Sequence, residues 1–192
     1  MEVSCEVAQR PFRVLEARES IPRKLSHVVL NSPDPERSMA FYTERLGFKV
    51  SGWLENWFGF LRCTPDFHSL AFVRAPHANL NHVSFEMRGY DEYMRGVGRA
   101  LQGGVPMYWG IGKHTPADST FAYFRDPNGF TSEYSAPQEM IVDDAAYQPR
   151  TWLNSENKDE WGTARTQNLP EDRAMGRSAG PVDPGLWVAP PV

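Results

Sequence analysis

The run KLSHVVLNS, residues 24–32, alternates apolar and polar positions around His27, the period-2 pattern of a half-buried strand. Residues 80–88, LNHVSFEMR, repeat it with His82 in the place of His27, 82 − 27 = 55 residues further on. The segments after the two runs match as well, which makes internal duplication the first organising fact. After the first run comes Asp34-Pro35-Glu36, where Asp can cap free N–H groups and Pro suits the first helical position. Met39, Tyr42 and Leu46 then share one helical face, and Gly47 ends the helix. After the second comes Tyr90-Asp91-Glu92, with Tyr93, Val97 and Leu101 at helical spacing and Gly103-Gly104 as the stop. Each predicted helix leads into three strand-like runs: 48–53, 57–62 and 68–73 in the first half, and 107–111, 120–124 and 129–135 in the second. Asp126-Pro127-Asn128-Gly129 marks the turn before the last of them.

Residues 22–137 therefore read as βαβββ written twice, an α+β fold with modules at 24–77 and 80–137. Neither module can bury both faces of its sheet alone. Paired, they form a curved mixed sheet around a cleft, and the cleft is where a ligand belongs. Residues 1–23 read as a leader and 138–192 as an extension rich in proline, with Trp152, Trp161 and Trp187. That composition predicts irregular chain wrapped on its own domain or on a neighbouring subunit, the alternative being a partly mobile tail.

Composition removes whole classes of function. At 41% hydrophobic and 23% charged residues the chain is an ordinary globular one, and a net charge of −4 gives no basic surface for nucleic acid or for an anionic membrane. No run approaches the roughly 18 apolar residues of a membrane helix, and the N-terminus has no continuous apolar segment of the secretory kind. Cys5 and Cys63 make neither a disulfide framework nor a zinc spacing, which fits a reducing cytoplasm. The expected partners are a small molecule and, as a homo-oligomer, further copies of the chain.

The chemistry starts from His27 and His82. A histidine on an apolar strand is usually a hydrogen-bonded core residue, but two at equivalent places in duplicated first strands would meet in one cleft. Glu133, in the final strand of the second module, is the third candidate. Turned inward it needs a partner or a metal, and turned outward it is only a solvated side chain. Two imidazoles and a carboxylate form the facial set that leaves metal positions open, suited to Fe(II) and oxygen chemistry. The counterpart of Glu133 in the first module should fall near Phe72, and the run 68–73 holds no carboxylate. A four-ligand isomerase site would want one there.

The segments SHVVLNSPDPERSMAFYTERLGF, CTPDFHSLAFVRAP with LNHVSFE, and GIGKHTPADSTFAYFRDPNGFTSEYS resemble the catalytic domain of type I extradiol dioxygenases. That family includes catechol 2,3-dioxygenase and biphenyl-2,3-diol 1,2-dioxygenase, within the vicinal oxygen chelate superfamily of glyoxalases, bleomycin resistance proteins and dioxygenases. The resemblance implies His27, His82 and Glu133 as ligands of Fe(II), with Mn(II) able to use the same set. It implies His68 as the acid–base residue beside bound oxygen, and His114 and Tyr123 as hydrogen-bonding partners of a catechol that is opened by O2. Without the resemblance His68 and His114 read as exposed loop histidines and Tyr123 as simple strand packing. His77 reads as a linker residue. Trp109, Phe121 and Phe67 are either pocket walls or core, and Lys113, Arg62 and Arg74 are either contacts to an acidic substituent or solvated. The two-domain members of the family carry a second pair of repeats before the catalytic pair, and with only residues 1–23 ahead of the first strand a one-domain form is expected. The competing readings are another metalloenzyme of the same fold (isomerase, epimerase or lyase) and a binding protein that sequesters a small molecule without a metal.

Overall fold

A computed structural model describes residues 13–156 and 159–166. The first module runs β1 (Lys24–Ser32), α1 (Pro35–Leu46), β2 (Lys49–Leu54), β3 (Phe58–Arg62), β4 (Leu70–Arg74). The second runs β5 (Asn79–Glu86), α2 (Tyr90–Gln102), β6 (Met107–Lys113), β7 (Thr120–Arg125), β8 (Thr131–Ser135). Two short strands come after them, β9 (Arg150–Trp152) and β10 (Arg165–Thr166). Among the described residues they make one curved ten-stranded sheet in the order β10-β6-β7-β8-β5-β1-β4-β3-β2-β9. The two modules meet at the antiparallel β1–β5 seam. In each, the first strand pairs in parallel with the last, β1 with β4 and β5 with β8, and the remaining pairs are antiparallel. The duplication read in the sequence is thus a symmetric arrangement about the seam.

Both helices form over the predicted runs, α1 with a side-chain N-cap and α2 without one. Asp34 accepts from the Arg37 N–H at 3.0 Å, Pro35 opens α1, and Gly47 closes it with φ of 72°, a left-handed value that suits glycine. α1 buries Met39 against Leu61, Leu70 and Phe72 on one face of the sheet, and α2 buries Tyr93 and Val97 against Ala122 and Phe124 on the same side of the other module. Leu46 and Leu101 depart from the predicted apolar faces, at 37% and 40% exposure. Both lie in last turns, where a straight helix diverges from a twisted sheet. The strands also begin or end a residue or two from their predicted bounds. Alternation sends the other side chains of the strands to the opposite, inner face: on β1, Val29 joins Leu54, Phe60, Ala71 and Val73 in an inner core, while Val28 and Leu30 face α1.

The described part of the extension lies along both ends of the sheet. β9 pairs in parallel with β2, and β10 pairs antiparallel with β6. Gly52 permits the first of these, because a Cβ there would come within 2.5 Å of the Arg150 carbonyl oxygen and 2.7 Å of the Trp152 ring. Trp152 packs on Phe60 and Phe67. Trp161 is exposed near Tyr90, and Trp187 lies outside the described residues. No helix among the described residues is long and apolar enough to cross a membrane.

Candidate metal centre and pocket

Three adjacent strands, β8-β5-β1, bring His27, His82 and Glu133 together. The register explains the meeting. His82 pairs with Val29 across the seam, and Ser84 pairs with both His27 and Glu133, so the three side chains rise from neighbouring rows of the same face. All three are buried, and one ligand atom from each lies within 4.8 Å of the others. The Nε2 atoms of His27 and His82 approach Glu133 Oε2 at 3.0 and 3.6 Å. Among the described residues, neither carboxylate oxygen has a donor in hydrogen-bonding geometry.

The imidazoles are prepared as lone-pair donors. Burial, with the neighbouring His114 adding to it, pushes His27 down to about 3. His82 is also pushed down to about 3, by burial first, with the Glu133 charge opposing. Both rings are neutral at pH 7. The Asn81 amide donates to Asn31 Oδ1 at 2.9 Å, which turns its Oδ1 to His82 Nδ1 at 2.7 Å. The oxygen can only accept, so Nδ1 carries the proton and Nε2 the lone pair. His27 Nδ1 meets the Ser26 hydroxyl at 3.1 Å, a contact in which either group can donate. A donor-less buried carboxylate facing two neutral nitrogen donors fits a divalent cation, and little else would offset its burial.

The counterpart of Glu133 in the first module is Ala71 rather than Phe72. Val83 pairs with Ser132 where Val28 pairs with Leu70, so the next residues, Glu133 and Ala71, correspond. One residue matters in a strand, since Phe72 faces α1 while Ala71 faces the inner core. Ala71 offers no donor, and the absence of a fourth carboxylate expected from the sequence stands.

His68, His114 and Tyr123 surround the same space. His68 is buried in the loop before β4, its ring centroid 4.0 Å from that of His27 and its Nδ1 without a hydrogen-bond partner. Burial pushes its imidazole well below the usual range. His114 lies just past β6, stacks on Phe121 at 4.0 Å and joins Tyr123 through an Nε2–hydroxyl contact of 3.1 Å. Burial lowers His114 to about 4, and burial together with the Glu133 charge pushes the Tyr123 phenol well up. With Val29, Leu54, Trp57, Phe58, Phe60, Val73, Trp109 and Pro116 these residues line a cavity of about 120 Å³. Apolar cavities of about 150 Å³ take a benzene ring, so this one is of single-ring size. Phe67 and Phe121 are core rather than wall, and His77 is exposed between the modules.

Gln138 is the residue that sequence reasoning missed. Its Oε1 accepts the His68 N–H at 3.0 Å, and its Nε2 donates to the His68 carbonyl at 2.9 Å and to Ser26 Oγ at 3.4 Å. The next residues extend the clamp: Glu139 O accepts from Phe67, Ile141 donates to Pro65 O, and Glu139 N–H donates to Ala117 O just beyond His114. Nothing in the duplicated pattern marks Gln138, which lies past the end of the repeat. Ser26 and Asn81 did carry a signal: a polar residue precedes His-Val in both modules.

The chain belongs to the Glyoxalase/Bleomycin resistance protein/Dioxygenase superfamily, whose family model matches residues 24–134. Within it, the chain is 28% identical over 144 residues to Metapyrocatechase 2 of Cupriavidus necator, covering 74% of this chain and 45% of that one. It is 29% identical over 136 residues to an iron-dependent extradiol dioxygenase of Rhodococcus jostii, covering 63% and 45%. Among solved structures, the Mn(II)-bound glyoxalase from Novosphingobium aromaticivorans superposes with a TM-score of 0.77 at 35% identity, over 90% of this chain and 55% of that one. The chain spans about half the length of the curated relatives it matches. The fold and family resemblance expected from the sequence are both borne out.

Proposed function

We propose that the protein is an extradiol dioxygenase that opens a catechol beside its diol, inserting both atoms of O2 to give a hydroxymuconic semialdehyde-type product. The observation that carries the reading is Glu133, buried with both oxygens donor-less against two imidazole Nε2 atoms. Residues 24–137 form the catalytic unit in this reading and the extension from 138 supports it. His27, His82 and Glu133 hold Fe(II), and Mn(II) accepts the same ligands. Held by these residues, the metal would supply Lewis-acid and redox chemistry for the reaction of the diol with O2.

The chain's own part is to orient the ring and handle protons. The Tyr123 hydroxyl and His114 form a hydrogen-bonded pair at the cavity wall that fixes the diol oxygens. His68, neutral and with Nδ1 free of any partner, takes a diol proton and returns one to oxygen. Val29, Leu54, Phe60 and Val73 keep water from the reacting ring. The isomerase reading asks for a fourth protein ligand, and Ala71 cannot be one.

The test is oxygen uptake by protein loaded anaerobically with Fe(II), across a panel of substituted catechols. One O2 consumed per catechol with a coloured ring-fission product is expected. No uptake and no chromophore with any member would remove the proposal.

A further inference from the structure

We infer that the catechol taken by this site carries an uncharged, apolar substituent, an inference that rests on the ring-cleaving reading and narrows it. Away from the three candidate ligands and the His68, His114 and Tyr123 groups, the described cavity wall is aliphatic and aromatic, Leu54, Trp57, Phe58, Phe60 and Trp109 among it, with Asn81 and Ser119 as its polar members. Asn81 is committed at both ends of its amide, to Asn31 and to His82. Among the described residues of the wall, the one carboxylate is Glu133, and no lysine or arginine lines it.

An acidic substituent would need a cation, and the described cations near this half of the molecule are engaged elsewhere. Arg62, although buried, holds Asp144 at 2.6 Å and the Val50 carbonyl at 3.0 Å. Arg74 is tied to Glu36, and Arg150 to Glu139. Lys113 holds Asp118 at 2.5 Å. None of the four lines the cavity. A carboxylate entering would lose its water against aromatic and aliphatic carbon and gain no donor from the wall. An ammonium substituent would find aromatic faces but no carboxylate of its own. A methyl or alkyl group loses nothing and buries apolar surface.

The experiment compares 4-methylcatechol with 3,4-dihydroxybenzoate, 3,4-dihydroxyphenylacetate and dopamine at pH 7 on the Fe(II)-loaded full chain. The expected kcat/KM for 4-methylcatechol is at least 50-fold above that of each charged analogue. Any charged analogue inside that margin overturns the inference while leaving ring cleavage standing. Absence of turnover with all four, and with unsubstituted catechol, overturns both. Because a carboxylate also alters the reactivity of the ring, binding is read separately by anaerobic quenching of tryptophan fluorescence. At least tenfold weaker binding of both acids is expected, and equal binding counts against the inference. Trp57→Arg places a cation on the wall. In a variant whose circular dichroism and melting match the parent, it should narrow the preference over the acids at least tenfold, and an unchanged ratio shows that the wall does not select.

Discussion

At the scale of single residues, Glu133 and Gln138 hold opposite kinds of tension. Glu133 is a buried acceptor with nothing to accept. Glu133→Gln should therefore cost the protein its metal, with affinity falling at least 100-fold. In chelator-treated protein the same change should leave the melting temperature equal or higher, since a neutral amide replaces an unpartnered carboxylate. A clearly lower melting temperature of that metal-free variant would show that Glu133 stabilises the fold by itself. Gln138 is the reverse, a residue with every polar atom used. Gln138→Ala strands a buried N–H and C=O of His68 and should cost about 2–4 kcal/mol of stability. Under the proposed reaction kcat should fall further than KM rises, because the displaced group acts on protons rather than on binding. Gln138→Glu keeps one bond of the clamp and loses its donors, so it should fall between the two.

The same residues set a pH dependence. Burial holds His27 and His82 at about 3 and His114 at about 4, all below the 6.5 of an exposed imidazole. Between those values the unfolded chain binds protons that the folded chain refuses. Stability is therefore fully present above about pH 6.5 and is lost as pH falls toward 3–4, by up to about 1.4 kcal/mol per pH unit for each such histidine. Melting of the metal-free protein from pH 7.5 to 4.5 should show a steady decline. A flat profile would mean that these rings are not buried neutral.

At the scale of elements, the extension is a structural part of the sheet. β9 reaches β2 only because Gly52 has no side chain in its path. Gly52→Val should push Arg150 and Trp152 away, cost about 1–3 kcal/mol and expose the Arg150 peptide bond to trypsin. Unchanged proteolysis would mean that β9 is not held there. The elements also show what was legible in the chain and what was not. Helices α1 and α2 and the two histidine strands were readable because apolar spacing, glycine stops and, for α1, the Asp34 cap are local signals. The burial of His68 was not, since a Pro-Asp-Phe approach looks the same whether the loop faces water or is stapled by a segment 70 residues later. Glu133 was ambiguous for a related reason: in a short strand one register step decides between core and solvent, and only pairing with Ser84 and Tyr123 fixes it.

At the scale of the whole molecule, the duplicated half of the design could be read and the unique half could not. Internal repetition placed two equivalent imidazoles from pattern alone, and the family resemblance supplied the rest of the candidate set. The segment after residue 137 has no second copy to be compared with, so its grip on both loops that carry His68 and His114 left no trace in the pattern. That grip predicts a sharp boundary for truncation. A chain ending at Pro137 should keep its strands by circular dichroism yet lose most ring-cleaving activity, while one ending at Asp143 should retain far more. Equal activity of the two would relieve residues 138–141 of any part in the site.

The seam between β1 and β5 has one more consequence. One nitrogen donor belongs to the first module, whereas the other nitrogen and the carboxylate belong to the second. An ion seated among them is a rivet through the joint between the two modules. Stripping it should loosen the joint first, with hydrogen exchange quickening along the middle of the sheet while each helix stays quiet.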